Sequence, residues 1–249
     1  MNRQAQAAVL FLLGGAMLHA GTTGLYLRYV KAGLQPMLLA SGAVLIVASA
    51  ATVWYGRRAT RRTEQHDAPD ADHDDGHGHG HREPRISWLL VLPLFALILV
   101  APPALGSYTA VRSGTAIQPP LAYPPLPSAD PAPLSLVDYA GRAAYGHGRT
   151  LGARRFRITG FVTIDGAGRP YLVRMALNCC AADAQPVKVG LTGKLPPVLQ
   201  PDAWLQVTGT YSEERTKDPV NGGIIPFMDV AEARPVAVPK DPYDESWNQ

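Results

Sequence analysis

Three long apolar runs dominate the first 106 residues, and short alternating ones replace them afterwards. The runs cover about residues 5–27, 34–55 and 86–106, and none contains Asp, Glu, Lys or Arg. Each is near the ~20 residues that a helix needs to cross the hydrocarbon core of a bilayer, so the pattern predicts three transmembrane helices. No Ala-x-Ala cleavage pattern follows the first run at the expected distance, and its apolar character continues through Leu25 and Leu27. It therefore reads as a span rather than a cleaved signal peptide. After the third run, Ser135 is placed to cap a short amphipathic helix through Leu136, Val137 and Tyr139 to about Tyr145, ended by Gly146-His147-Gly148.

From Arg155 the period changes to two. Ile158, Val162 and Ile164 alternate with polar residues, Asp165-Gly166-Ala167-Gly168 supplies a hairpin loop, and Tyr171, Val173, Met175 and Leu177 share one face of the return strand. Further strands are expected over 186–191, 203–211 and 224–234. Five short strands with one helix predict a partly open barrel of the OB type, with a small open sandwich as the alternative. The fold class is thus a membrane protein with three transmembrane α-helices and an extracytoplasmic, mainly β domain. The expected order is a helix pair in 1–55, a loop over 56–85, the third span in 86–106, a Pro-rich extended spacer in 107–134 and the β domain in 135–249.

Charge sets the orientation and excludes one class of partner. Arg57, Arg58, Arg61 and Arg62 close the second run while Arg82 and Arg85 open the third, so the intervening loop is expected in the cytoplasm. The N-terminus is then inside, and the turn carrying Arg28 and Lys31 lies outside with everything after Gly106. The chain is a multi-pass protein of the cell membrane on this reading. A formal net charge of +3, with arginines gathered at span ends, gives no nucleic-acid reader. His19 is the one ionisable side chain other than tyrosine within the first span, where it serves either an interfacial hydrogen bond or a polar path.

Two segments carry candidate chemistry. The cytoplasmic loop holds His66, His73, His77, His79 and His81, five of the seven histidines, among Gly and Asp. Such a tract cannot bury a core, and imidazole with carboxylate suits zinc or another divalent transition metal in an exchangeable site; the alternative is a solvated linker. The second segment is Asn178-Cys179-Cys180-Ala181-Ala182-Asp183-Ala184, which contains the only two cysteines. Successive strand residues point to opposite faces, so the thiolates of Cys179 and Cys180 fit poorly around one metal ion unless the backbone turns; with a turn, one sulfur and Asp183 are placed to share a metal whose further ligands come from a partner. The alternatives are a vicinal disulfide and a pair of buried inert thiols.

The apolar helix pair, the His-rich loop before a third span, Gly160-Phe161-Val162, the Asn178–Ala184 segment and Pro239-Lys240-Asp241-Pro242-Tyr243 together resemble the YcgQ-like family of bacterial membrane proteins. The resemblance covers nearly the whole chain, and its specific part is Cys-Cys-x-x-Asp. It implies a multi-span permease as partner and a link to zinc homeostasis. The expected function is a membrane-anchored, non-enzymatic accessory subunit of a permease, embedded in the lipid bilayer and handling a divalent metal such as zinc. Two alternatives stand beside it: an extracytoplasmic thiol or redox protein, and an OB-like module that binds a partner protein without metal. The thiol enzyme is disfavoured because no Cys-x-x-Cys is present and His147 is the only histidine beyond the third run.

Overall fold

The computed structural model describes residues 3–63, 104–119 and 122–245. These residues form two compact units, one of 3–26 with 33–63, the other of Leu27–Ala32 with everything described from 104 onward. The His-rich loop, with His66, His73, His77, His79 and His81, lies outside the described residues, as does nearly all of the third apolar run.

The first unit is an antiparallel pair, α1 (Arg3–Thr23) and α2 (Gln35–Thr63). Small residues let the two backbones approach, and at Gly14 any Cβ would lie 2.8 Å from the Gly42 carbonyl oxygen. Hydrogen bonds complete the seam: Ser49 Oγ donates to Ala7 O at 2.8 Å, and Gln35 Nε2 donates to Gly21 O at 3.0 Å. Both helices are long and apolar enough to cross a membrane. Apolar side chains dominate the outer surface of α2, where Met37, Val44, Val47, Trp54 and Tyr55 are all exposed, which suits a lipid environment. His19 is exposed on α1, outside the helix–helix seam.

The second unit is a five-stranded β-barrel with additions. Strands β2 (Phe156–Ile164), β3 (Pro170–Leu177), β4 (Gln185–Gly193), β5 (Trp204–Lys217) and β6 (Ile224–Pro235) close in the order β2-β5-β6-β4-β3-β2. All neighbours are antiparallel except β4 and β6. Where β2 and β3 part, each takes a short parallel partner, β1 (Ala132–Pro133) on β2 and β7 (Tyr243–Glu245) on β3. The predicted alternation is met: Ile158, Val162, Leu172, Val187, Val189, Val207 and Met228 fill the interior. One open side is stopped by α4 (Leu136–Ala144), which adds Leu136, Tyr139, Ala140 and Ala143 to that core. Ser135 caps this helix as its sequence suggests, its side chain accepting from Asp138 N at 3.0 Å. Tyr139 Oη is buried and donates to Phe227 O at 2.8 Å, which fixes the helix to β6.

A second apolar layer lies on the other face of the same strands. Phe161, Tyr171, Val173, Met175, Leu177, Trp204, Ile225 and Phe227 pack there with Ala110 and Tyr243. This layer explains why β3 is buried on both faces. Its cover includes the segment read from sequence as a spacer. A short helix, α3 (Ser107–Arg112), is followed by a chain in which Ala116 N donates to Pro186 O at 2.9 Å, and Ile117, Leu126 and Leu134 pack on the barrel core. The Pro-rich stretch therefore runs along the barrel and does not stand off from it. Proline removes backbone donors that would otherwise need partners, and the apolar residues between the prolines gain burial.

Candidate functional site

Beyond Leu177 the chain leaves β3 and makes one short turn before β4 begins at Gln185. Asp183 builds that turn. Its Oδ1 accepts from Asn178 N at 3.1 Å and its Oδ2 from Cys179 N at 2.9 Å, while the N–H of Cys180 adds a further bond to the carboxylate. Asp183 N donates to Cys180 O at 3.1 Å, closing a single 3₁₀ turn over Ala181–Asp183. An aspartate that gathers successive backbone donors substitutes for strand pairing at the point where the strand stops. The small Ala181 and Ala182 leave the turn uncrowded.

The turn satisfies the geometric condition set by two adjacent cysteines. The sulfurs of Cys179 and Cys180 and a carboxylate oxygen of Asp183 all lie within 4.8 Å of one another. Cys179 is exposed, Cys180 and Asp183 are half-buried, and both cysteines are free. Among the described residues this is the one group of three or more His, Cys, Asp or Glu donors that converge. His147 is not part of it: it takes a left-handed conformation at φ 50° after α4, and its Nδ1 lies 3.3 Å from Arg215 Nη1.

A second strand of chain embraces the cysteines from the other side. Val30 forms an antiparallel bridge with Cys180, Lys31 N donates to Cys179 O at 3.1 Å, and Ala181 N donates to Tyr29 O at 2.7 Å. Tyr243 of β7 holds this second segment, donating through Oη to Arg28 O at 3.0 Å while accepting from Leu105 N at 3.2 Å. Sequence reading missed these contacts, because Arg28 and Lys31 registered there only as charges at a span end.

The electrostatics of the site follow from these bonds. The hydrogen bond from the Cys179 thiol to the Asp183 carboxylate, with a smaller contribution from Cys180, pushes the Cys179 thiol up to about 11. Partial burial would raise Asp183, but the Cys179 thiol and the backbone N–H groups of Cys179, Asn178 and Cys180 outweigh it and hold the carboxyl below its usual range. The carboxylate is thus ionised and oriented, with the Cys179 thiol beside it protonated. Two sulfurs and one carboxylate oxygen are a donor set that zinc accepts, and they leave a tetrahedral position for a further ligand.

Two buried ion pairs went unread in the sequence, and both are structural. Lys188 Nζ lies 2.7 Å from Asp218 Oδ2 with both side chains nearly fully buried, and Lys188 also donates to Ser113 O at 2.9 Å. Arg174 Nη2 donates to Tyr243 O at 2.9 Å and pairs with Asp244 at 3.4 Å, while its guanidinium stacks over Trp204 at 5.1 Å. A concavity of about 530 Å³ beside it is lined by Arg157, Thr159, Gln206 and Asp244. Its most buried cation, Arg174, is already engaged by β7.

No curated protein matches the chain. The crystal structure of the S. pombe Stn1-ten1 complex is similar at 18% identity over 45% of this chain and 81% of that one, with a TM-score of 0.25. Residues 145–244, which hold all five barrel strands and the Cys-Cys turn, match the family model of the DUF1980 C-terminal domain.

Proposed function

We propose that the chain is a membrane-anchored metal-handling subunit whose OB-like barrel presents Cys179, Cys180 and Asp183 to a soft divalent cation such as zinc on the extracytoplasmic side. The observation that carries this reading is the convergence of two thiols and one oriented carboxylate within 4.8 Å at an exposed turn. Asp183, fixed by backbone donors, keeps its position whether or not a metal is present, and the two thiols give up their protons to coordinate. The open fourth position suits transient binding and hand-over rather than a closed structural site. A multi-span permease as the recipient, and a cytoplasmic store of zinc on His66, His73, His77, His79 and His81, rest on the family resemblance and the composition of that loop.

The pairing of Val30 with Cys180 supports the topology. Partners in a bridge lie on one side of a membrane, so a chain that leaves that side through α2 must return before residue 104, and the apolar run at 86–106 is the segment able to do it. Nucleophilic thiol chemistry is the poorer reading. Reactive cysteines are held below the ordinary thiol value, whereas Cys179 is pushed the other way, up to about 11.

Cobalt titration of the purified full chain tests the site separately from the histidine loop, because only thiolate ligands give a sulfur-to-cobalt charge-transfer band in the near ultraviolet. The band is expected in the parent and lost in Cys179→Ser and Cys180→Ser, with affinity weakened in Asp183→Asn. A parent spectrum without the band overturns the assignment.

A further inference from the structure

We infer that α3 is an interfacial helix that lies in the headgroup layer of a phospholipid bilayer and sets the barrel against it. The inference rests on the reading of 86–106 as a membrane span. The helix is fixed to the barrel at both ends. At its start Ser107 N donates to Asp202 Oδ1 at 2.6 Å and Ser107 Oγ to Asp202 Oδ2 at 2.7 Å. Past its end, Lys188 Nζ donates to Ser113 O at 2.9 Å and Thr115 N to Asp218 Oδ2 at 2.8 Å. Ser107 and Ala110 form its buried side.

Its outer side is what a rigid surface helix in water would not choose. Tyr108 is 70% exposed and Val111 46% exposed, and with Arg112 they stand at positions i, i+3 and i+4, a single stripe. Arg112 places its guanidinium 4.2 Å from the centre of the Tyr108 ring, so the cation sits beside the aromatic rather than away from it. An aromatic ring, a branched aliphatic chain and a guanidinium on one stripe match the layering of a membrane interface, where tyrosine lies at headgroup depth and arginine meets phosphate. The occupant is set by chain continuity, because α3 begins at the residue directly after the third apolar run. A helix tied to the end of a span by that residue cannot move far from the bilayer surface.

The test uses the full chain reconstituted in vesicles of phosphatidylcholine and phosphatidylglycerol, with the photo-crosslinking residue benzoylphenylalanine placed singly at position 96, 108 or 150 and each phospholipid radiolabelled in turn. Position 108 keeps an aromatic ring, position 96 reports the third run, and Thr150 is an exposed barrel residue after α4. Lipid labelling is expected at 96 and 108 and not at 150. At 108 it should favour phosphatidylglycerol roughly fivefold, the factor one basic residue contributes near an anionic surface, and Arg112→Gln should abolish the preference. Labelling at 96 with none at 108 overturns the inference and leaves the span intact. Absence of labelling at 96 overturns the span reading and the inference with it. Equal labelling of the two lipids at 108 in the parent removes the role given to Arg112.

Discussion

Replacing Asp183 by Asn should make Cys179 more reactive, although it removes the residue that builds the turn. The hydrogen bond to the carboxylate is the main cause that pushes the Cys179 thiol up to about 11. At pH 8 an ordinary thiol is roughly a quarter ionised, whereas a thiol at about 11 is roughly a thousandth ionised. The thiolate population therefore falls by a factor of roughly 250, and the greater nucleophilicity of the more basic thiolate recovers roughly 10- to 20-fold. Cys179 should alkylate roughly 10- to 25-fold more slowly than a free thiol, and with the smaller Cys180 contribution removed by substitution, Asp183→Asn should raise the rate about tenfold. The assay is iodoacetamide labelling at pH 8 in a Cys180→Ser background, followed by mass measurement, with and without the Asp183→Asn substitution. Asn keeps one acceptor for the backbone N–H groups, and thermal melting confirms that the barrel is intact. An unchanged or slower rate in a folded Asp183→Asn variant refutes the account of the site.

Lys188→Met should leave Asp218 as an uncompensated buried charge and cost about 3–5 kcal/mol, read as a drop in melting temperature, while adding Asp218→Asn should recover much of it. A Lys188→Met variant as stable as the parent would show that the pair does not hold the 113–115 segment to the barrel. Asp165 makes the hairpin between β2 and β3 sensitive to acid. Burial acts to raise its carboxyl, but bonds from the Arg169 N–H and guanidinium, the Tyr171 hydroxyl and Ala167 N hold it below the usual range. Its contribution is thus present above the ordinary aspartate value near ~3.9 and fades as pH falls through the lower folded value. The melting-temperature gap between parent and Asp165→Asn should shrink from pH 7 to pH 2, and a gap that stays constant argues against it.

The barrel was legible because its residues obey local rules. Period-two alternation located β2 to β6, and Ser135 announced α4 three residues ahead of the backbone N–H it caps. The candidate site was legible as a composition, two cysteines and an aspartate three residues on, but not as a shape. Sequence offered Asp183 as a ligand, while the structure shows that its first task is to collect backbone donors and so bring the two sulfurs to one side. Long-range partners left no local trace. Lys188 on a strand reads as a solvent-facing residue until Asp218, thirty positions on, meets it at 2.7 Å in the interior. The stretch after Gly106 was read from proline content alone, which predicts extended backbone but says nothing about what that backbone lies against.

The bridge between Val30 and Cys180 has a consequence for how this protein is made and how it should be studied. Synthesis delivers Tyr29, Val30 and Lys31 about 150 residues before the cysteines they pair with. A fragment that begins after the third apolar run lacks this strand, and it exposes the Cys179 carbonyl and the Ala181 N–H as a raw edge beside two thiols. Excised barrels should therefore misreport the chemistry of Cys179 and Cys180 and pair with one another through that edge, whereas a peptide of residues 27–32 supplied in trans should quiet both effects. On the proposed topology, an N-terminal hairpin inserted the other way round would leave the same edge bare, so completion of the cysteine turn would record correct insertion.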